Sequence, residues 1–315
     1  MKLVNSLDNQ VNQADVRSND KAEVMPLLSN QPSVSVAVAE AVVKMLEEMG
    51  VSYAFGVSGG AIAPLWASLS NSRIRVLHFR HEAGAAFAAV EAYFASGRPV
   101  VVFATTGPGI TNVLTGLLAA RGEGAKVILL SASTSAPQRG RGAVQETSVH
   151  TLPSAGIFTS GSLFHYATTL ECADELPQIS RKLAIGLAQP GGFVAHLSIP
   201  TAIQTSLSNS SLPRLALSQA LATVSEETVC ACVQLLSKGP FAIWVGFGAS
   251  AAADAIRQLA ERTGAAVMCS PRGKGIFPED HPQFIGVTGL GGHASVLRYM
   301  QEQPPLRVLV SCYAA

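Results

Sequence analysis

Glu82 opens the segment EAGAAFAAV, residues 82 to 90, in which every following residue is apolar or glycine, so the pattern predicts a helix packed almost all round. A carboxylate held among packed carbon has lost water, and one kept there works as a hydrogen-bond or proton partner. One helix and one strand later comes the turn TTGPGITN, Thr105 to Asn112, which enters another helix. Its glycines serve a phosphate-cradling loop as well as a plain turn. A parallel sheet would bring this turn and Glu82 to the same edge, which is where such sheets bind ligands.

Two other constellations are weaker. His78, His81 and Glu82 crowd together as HFRHE, yet the two histidines are three apart and straddle a strand-to-helix junction. Zinc motifs on helices space them at i and i+4, so a polar junction is the better reading and no metal ligand is assigned. GFGASA, Gly246 to Ala251, fits a dinucleotide fingerprint, but the next strand ends in Met268, Cys269 and Ser270 instead of an acidic residue about 20 residues on. A tight strand-to-helix turn is favoured there.

These residues need elements to place them. SVSVAVAEAVVKMLEEMG puts Val38, Val42, Met45, Leu46 and Met49 on one helical stripe, with Gly50 at the C-terminal cap. The strand VSYAFGV follows, then the Ser58-Gly59-Gly60 turn and a helix to about Leu69. Next come a strand from Arg75 to Phe79, the Glu82 helix, a strand from Val100 to Ala104, a helix from Ile110 to Arg121 and a strand from Lys126 to Ser131. This alternation predicts an α/β fold with a parallel sheet covered on both faces. Gln138 to Gly142 reads as a loop and Phe193 to Pro200 as a last strand of the unit.

The serine-rich residues 205 to 213 read as a linker. A second unit follows, with helices near Ser218 to Ser237 and Ala251 to Thr263, and strands at Phe241 to Val245, Ala265 to Cys269 and LRVLV. That last strand has no helix after it to return along.

The 315 residues, 48% hydrophobic with 28 glycines, suffice for two domains with cores of their own. With 22 basic against 21 acidic residues there is no field to draw in nucleic acid or an anionic membrane. Five dispersed cysteines argue against a disulfide framework and for a reducing cytoplasm. Residues 1 to 33 read as a mobile polar arm without a signal peptide's apolar core, and no apolar run reaches the roughly 20 residues that span a bilayer.

GVSGGAIAPLW, RHEAGAAFAAVEAYF, TTGPGITN and GAVQETS, in this order, resemble the pyrimidine-binding domain of thiamine diphosphate enzymes of the acetolactate synthase group. Residues 271 to 293, PRGKGIFPEDHPQFIGVTGLGGH, are similar to that group's central domain. The resemblance implies a parallel-sheet pyrimidine-binding domain over residues 34 to 205, a linker over 206 to 213 and an incomplete, Rossmann-like central domain over 214 to 315. It implies thiamine diphosphate as cofactor, with Glu82 as the glutamate that hydrogen-bonds N1′ of the aminopyrimidine and so lets its 4′-nitrogen take the thiazolium proton. Ser58, Gly59, Thr106, Gly107 and Asn112 would line the pyrimidine pocket. Gln145 would reach toward the substrate, against a reading as an ordinary loop amide. Ser58 stands where acetolactate synthases carry proline, which puts the acceptor preference in question.

The implied activity is decarboxylation and carboligation of 2-oxo acids, with a decarboxylase, or a carboligase for bulkier aromatic 2-oxo acids, as the alternative. The Gly-Asp-Gly and asparagine motif that grips the diphosphate and its magnesium in this group does not occur in the sequence. The chain is therefore expected to be a fragment or one part of a split enzyme. It would be inactive alone and paired in a homo-oligomer or with a separate diphosphate-domain chain. A non-catalytic partner subunit and a dinucleotide-binding oxidoreductase built on Gly246 and Gly248 stand as the other classes. A flavin in the central domain is left open.

Overall fold

The interior strands are rich in apolar residues and largely buried. The computed structural model describes residues 35–148, 151, 156–208 and 224–311. The expected N-terminal arm, residues 209–223 and the last four residues lie outside them.

The first run of elements comprises β1 (Val36–Ala37), α1 (Val38–Glu48), β2 (Tyr53–Gly56), α2 (Ala63–Ser70), β3 (Arg75–His78), α3 (Glu82–Ser96), β4 (Val100–Ala104), α4 (Pro108–Glu123) and β5 (Lys126–Ser133). It continues with β6 (Tyr166–Thr169), α5 (Leu176–Ala188), β7 (Phe193–Pro200), α6 (Thr201–Gln204) and β8 (Leu207–Ser208). Six of these strands form one parallel sheet in the order β3-β2-β4-β5-β7-β6. Every residue of β4 and β7 is buried, as helices on both faces require, whereas edge strand β3 is only partly covered.

Alternation along β4 sends Val101 and Phe103 to one face, against α1, α2 and α5, and Val100, Val102 and Ala104 to the other, against α3 and α4. On that second face α3 and α4 approach closely. A methyl group placed on Gly116 would collide with Ala86, so only glycine permits the observed spacing.

The second run comprises α7 (Glu226–Leu236), β9 (Phe241–Val245), α8 (Ala253–Thr263), β10 (Ala266–Cys269), β11 (Phe284–Val287), α9 (Ala294–Glu302) and β12 (Arg307–Ser311). Its four strands are parallel in the order β11-β10-β9-β12. Ile256 and Ala260 of α8 pack on one face, and Val296 and Tyr299 of α9 on the other. The described residues form one compact unit. Arg272 bridges the two sheets: its guanidinium lies 4.3 Å from the Phe94 ring centroid and 4.9 Å from that of Phe247, and it is ion-paired to Glu123.

Several expectations change in detail. Helix α3 is not packed all round: Gly84, Phe87 and Glu91 form an open stripe, with Phe87 45% exposed, because a run of alanines carries no directional pattern. Leu207 and Ser208, read as linker, pair antiparallel with β1. The helix expected from Ser218 begins among the described residues at Glu226, where the Ser225 hydroxyl accepts the Thr228 N–H at 3.2 Å. The helix expected from Ala251 starts at Ala253, after a 3-10 turn over Phe247–Ala252. Elements β6, α5, β11 and α9 were not anticipated, although Leu176, Ile179, Leu183 and Leu187 make a helical stripe in α5. The final strand is reached through α9, which supplies the crossover before it.

Candidate active site

Four loops meet at the C-terminal edge of the first sheet, following β2, β3, β4 and β5. The loop after β3 delivers Glu82 as the first residue of α3, a position that suits an acidic group. His81 caps that helix, its Nδ1 accepting the Ala83 N–H at 3.1 Å, and His78 Nε2 accepts the Trp66 indole N–H at 3.1 Å. Both histidines of the HFRHE cluster are thus engaged in local structure.

Glu82 is 8% exposed. Asn112, on the second turn of α4, donates from Nδ2 to Glu82 Oε2 at 3.1 Å, while Oε1 accepts no hydrogen bond among the described residues. A methyl group on Gly109 would stand 3.4 Å from Glu82 Oε1 and 3.2 Å from Thr105 Cγ2, so glycine leaves open the space beside that oxygen.

The turn after β4 needs Gly107, whose backbone has φ +60 and ψ −113. The turn after β2 meets it: a methyl on Gly59 would lie 2.7 Å from the Thr105 hydroxyl. Buried Gln204 holds that second turn from below, donating to the Ala61 carbonyl at 2.9 Å and accepting the Leu65 N–H at 3.3 Å. Ser58 is exposed on the rim.

The loop after β5 carries Gln145, the only non-glycine residue with positive φ among those described, at φ +51. Thr106 donates to Gln145 Oε1 at 3.5 Å. On one side Glu146 gathers the loop, its Oε1 accepting the Gly140 N–H at 2.6 Å and the Ser148 hydroxyl at 3.0 Å. The Gly140 amide foremost, helped by Ser148, Gly142 and Ala143, holds the Glu146 carboxyl below the usual carboxylate value. On the other side Thr147, fully buried, accepts the Gly107 N–H at 2.5 Å and donates to the Gln145 carbonyl at 3.1 Å.

All seven sequence candidates therefore fall on this one edge. Glu82 and Asn112 are joined directly, Thr106, Gly107 and Gln145 form a second contact group, and Gly59 meets the latter through Thr105. Thr105, Thr147 and Gln204 were missed. Their only signal is proximity to a motif, since a threonine or glutamine in a loop is ordinary until its partners are known.

The GFGASA turn is occupied elsewhere. Gly246 has φ −105 and ψ 172, and the Phe247 ring meets Phe94 at 5.1 Å, so this turn packs against the first sheet's helices.

A parallel-sheet edge of glycine turns around one buried glutamate, followed by a second parallel α/β unit, agrees with sequence comparison. The chain carries the N-terminal and central domains of the thiamine pyrophosphate enzymes: residues 36–152 match the thiamine pyrophosphate enzyme N-terminal TPP binding domain, and residues 231–304 the central domain. It is 31% identical over 277 residues to the acetolactate synthase isozyme 1 large subunit of Escherichia coli, covering 86% of this chain and 48% of that protein. Isozyme 2 of the same organism is 31% identical over 270 residues, covering 84% and 47%. The probable 2-ketoarginine decarboxylase AruI of Pseudomonas aeruginosa is 30% identical over 267 residues, covering 83% and 46%. The chain spans about half the length of the curated relatives it matches.

Proposed function

We propose that this chain supplies the aminopyrimidine-binding part of a thiamine diphosphate site that decarboxylates 2-oxo acids and joins the remainder to a second carbonyl compound, in the manner of acetolactate synthase. The observation that supports this most is Glu82: a buried carboxylate fixed through one oxygen by Asn112, with the other oxygen facing space that Gly109 leaves open. That arrangement fits a flat ring with a hydrogen-bonding nitrogen. Thiamine diphosphate, when bound, supplies the electron sink for the carbanion left by decarboxylation.

Glu82 Oε1 holds the proton shared with the ring nitrogen, and Asn112 orients the carboxylate. Gly59, Thr106 and Gly107 form the walls, Ser58 the rim, and Gln145 faces the substrate side. Among the described residues no group of three His, Cys, Asp or Glu side chains could hold a metal ion. Magnesium and the diphosphate are assigned to a diphosphate-binding domain, outside the residues described. The dispersed cysteines, with no C-x-x-C pair among them, support a reducing, cytoplasmic setting.

Exposed Ser58 and the near-equal similarity to a probable decarboxylase favour a second reading, in which a proton is the final acceptor. The test supplies the chain with a relative's remaining half, thiamine diphosphate and magnesium, and offers a panel of 2-oxo acids. Carbon dioxide with a coupled hydroxy-oxo acid supports carboligation, and carbon dioxide with free aldehyde supports the second reading. Failure of the assembly to bind thiamine diphosphate sinks both.

A further inference from the structure

We propose that Thr147 is a positioning residue of the candidate pocket, one hydroxyl that locks the Gly107 turn and the Gln145 loop against each other and thereby sets where Gln145 stands. The functional part of this inference rests on the reading of the Gly107 turn as the pyrimidine wall.

Gly107 is the N-cap of α4, so its amide has no partner inside the helix. The Thr147 hydroxyl accepts that N–H at 2.5 Å and donates its own O–H to the Gln145 carbonyl at 3.1 Å. Thr147 is itself held at both backbone atoms. Its N–H donates to Thr134 Oγ1 at 2.9 Å, and its carbonyl accepts the Thr134 N–H at 3.2 Å, which ties the loop to the residue just past β5. It is wholly buried, so water does not stand in for the hydroxyl.

The consequence appears one residue away. Gln145 adopts a left-handed backbone that a side chain bears only where its surroundings impose it, and its Cβ would lie 3.2 Å from a methyl placed on Gly107. Glu146 organises the outer part of the loop, through Gly140 and Ser148, and touches neither Gly107 nor Gln145's carbonyl. Thr106 also reaches the Gln145 side chain, at 3.5 Å, but among the described residues Thr147 is the one whose hydroxyl bonds both the Gly107 backbone and the Gln145 backbone.

Thr147→Val keeps the shape and removes both bonds, and Thr147→Ser keeps the hydroxyl. Hydrogen–deuterium exchange at Gly107 is measured on the full chain, and calorimetric titration with thiamine diphosphate and magnesium on the chain assembled with a relative's remaining half. Thr147→Val is expected to speed Gly107 exchange and weaken cofactor binding, each on the order of tenfold, and Thr147→Ser to restore both. Should the valine variant fail to fold, Thr147→Cys, whose thiol is a weak donor and acceptor, replaces it with the same expectation. Unchanged exchange in Thr147→Val, or Thr147→Ser behaving like valine, overturns the proposal. If the assembly built with the wild-type chain does not bind thiamine diphosphate, the functional reading falls, and Gly107 exchange with its serine rescue still decides the positioning role.

Discussion

At Glu82 the difference between a carboxylate and an amide is a single heavy atom, and Glu82→Gln would keep the bulk and one acceptor oxygen while replacing the other oxygen with a donor. In the assembled enzyme this substitution is expected to cut carbon dioxide release roughly 10²- to 10⁴-fold with circular dichroism unchanged. Wild-type turnover in that variant would remove Glu82 from the chemistry. A second single residue governs acid stability. His196 on β7 is buried between the Phe158 and Phe164 rings, its Nδ1–H donating to the Ile157 carbonyl and its Nε2 accepting from Ser131, both at 2.7 Å. Burial lowers its pKa from 6.5 to about 4. Burial foremost, with Arg121, lowers that of His165 too. Between those pH values the unfolded chain takes up a proton that folded His196 refuses. Stability is therefore expected to fall as pH drops from 6.5 to about 4, by up to roughly 3 kcal/mol for this group, and to level off below. Urea denaturation of wild type and His196→Gln between pH 6.5 and 5 checks this, since the variant should show the shallower slope.

Two helices, not two residues, set the distance from Glu82 to Asn112. α3 and α4 each contribute one member of the pair, and their separation is fixed where Gly116 meets Ala86. Gly116→Val is expected to force the helices apart, costing about 1–3 kcal/mol in urea denaturation and weakening thiamine diphosphate binding together. Lost stability with unaltered binding would show that helix spacing does not govern the site.

The whole molecule is coupled through the Phe94–Arg272–Phe247 stack and the Arg272–Glu123 ion pair. The chain's two tryptophans report the two sheets separately, Trp66 on α2 and Trp244 on β9. Single-tryptophan variants are expected to unfold at coincident denaturant concentrations in the otherwise native chain. With Arg272→Ala the two curves should separate, because a cation over aromatic rings contributes about 0.5–2 kcal/mol to holding the units together. Coincident curves in Arg272→Ala would place the coupling elsewhere.

Alternating periods along residues 38 to 133 carried the parallel α/β arrangement, and fully apolar stretches such as VVVFA marked the interior strands, because a doubly covered sheet admits little else. The oddity of an acidic residue opening an alanine-rich helix was legible too, as was a glycine turn one strand later. Spacing alone did not reveal β6, β11 and α9, whose shorter or more polar patterns resemble loops, nor the open stripe of α3, since alanines suit a buried and an exposed face alike; α5 carried a legible stripe in Leu176, Ile179, Leu183 and Leu187. The contacts that give the site its shape were beyond reach. Thr147 to Gly107, Gln204 to Ala61 and Gly116 to Ala86 join residues 40, 143 and 30 positions apart, and a threonine, a glutamine and a glycine acquire meaning only when the tertiary fold presents each with its partner.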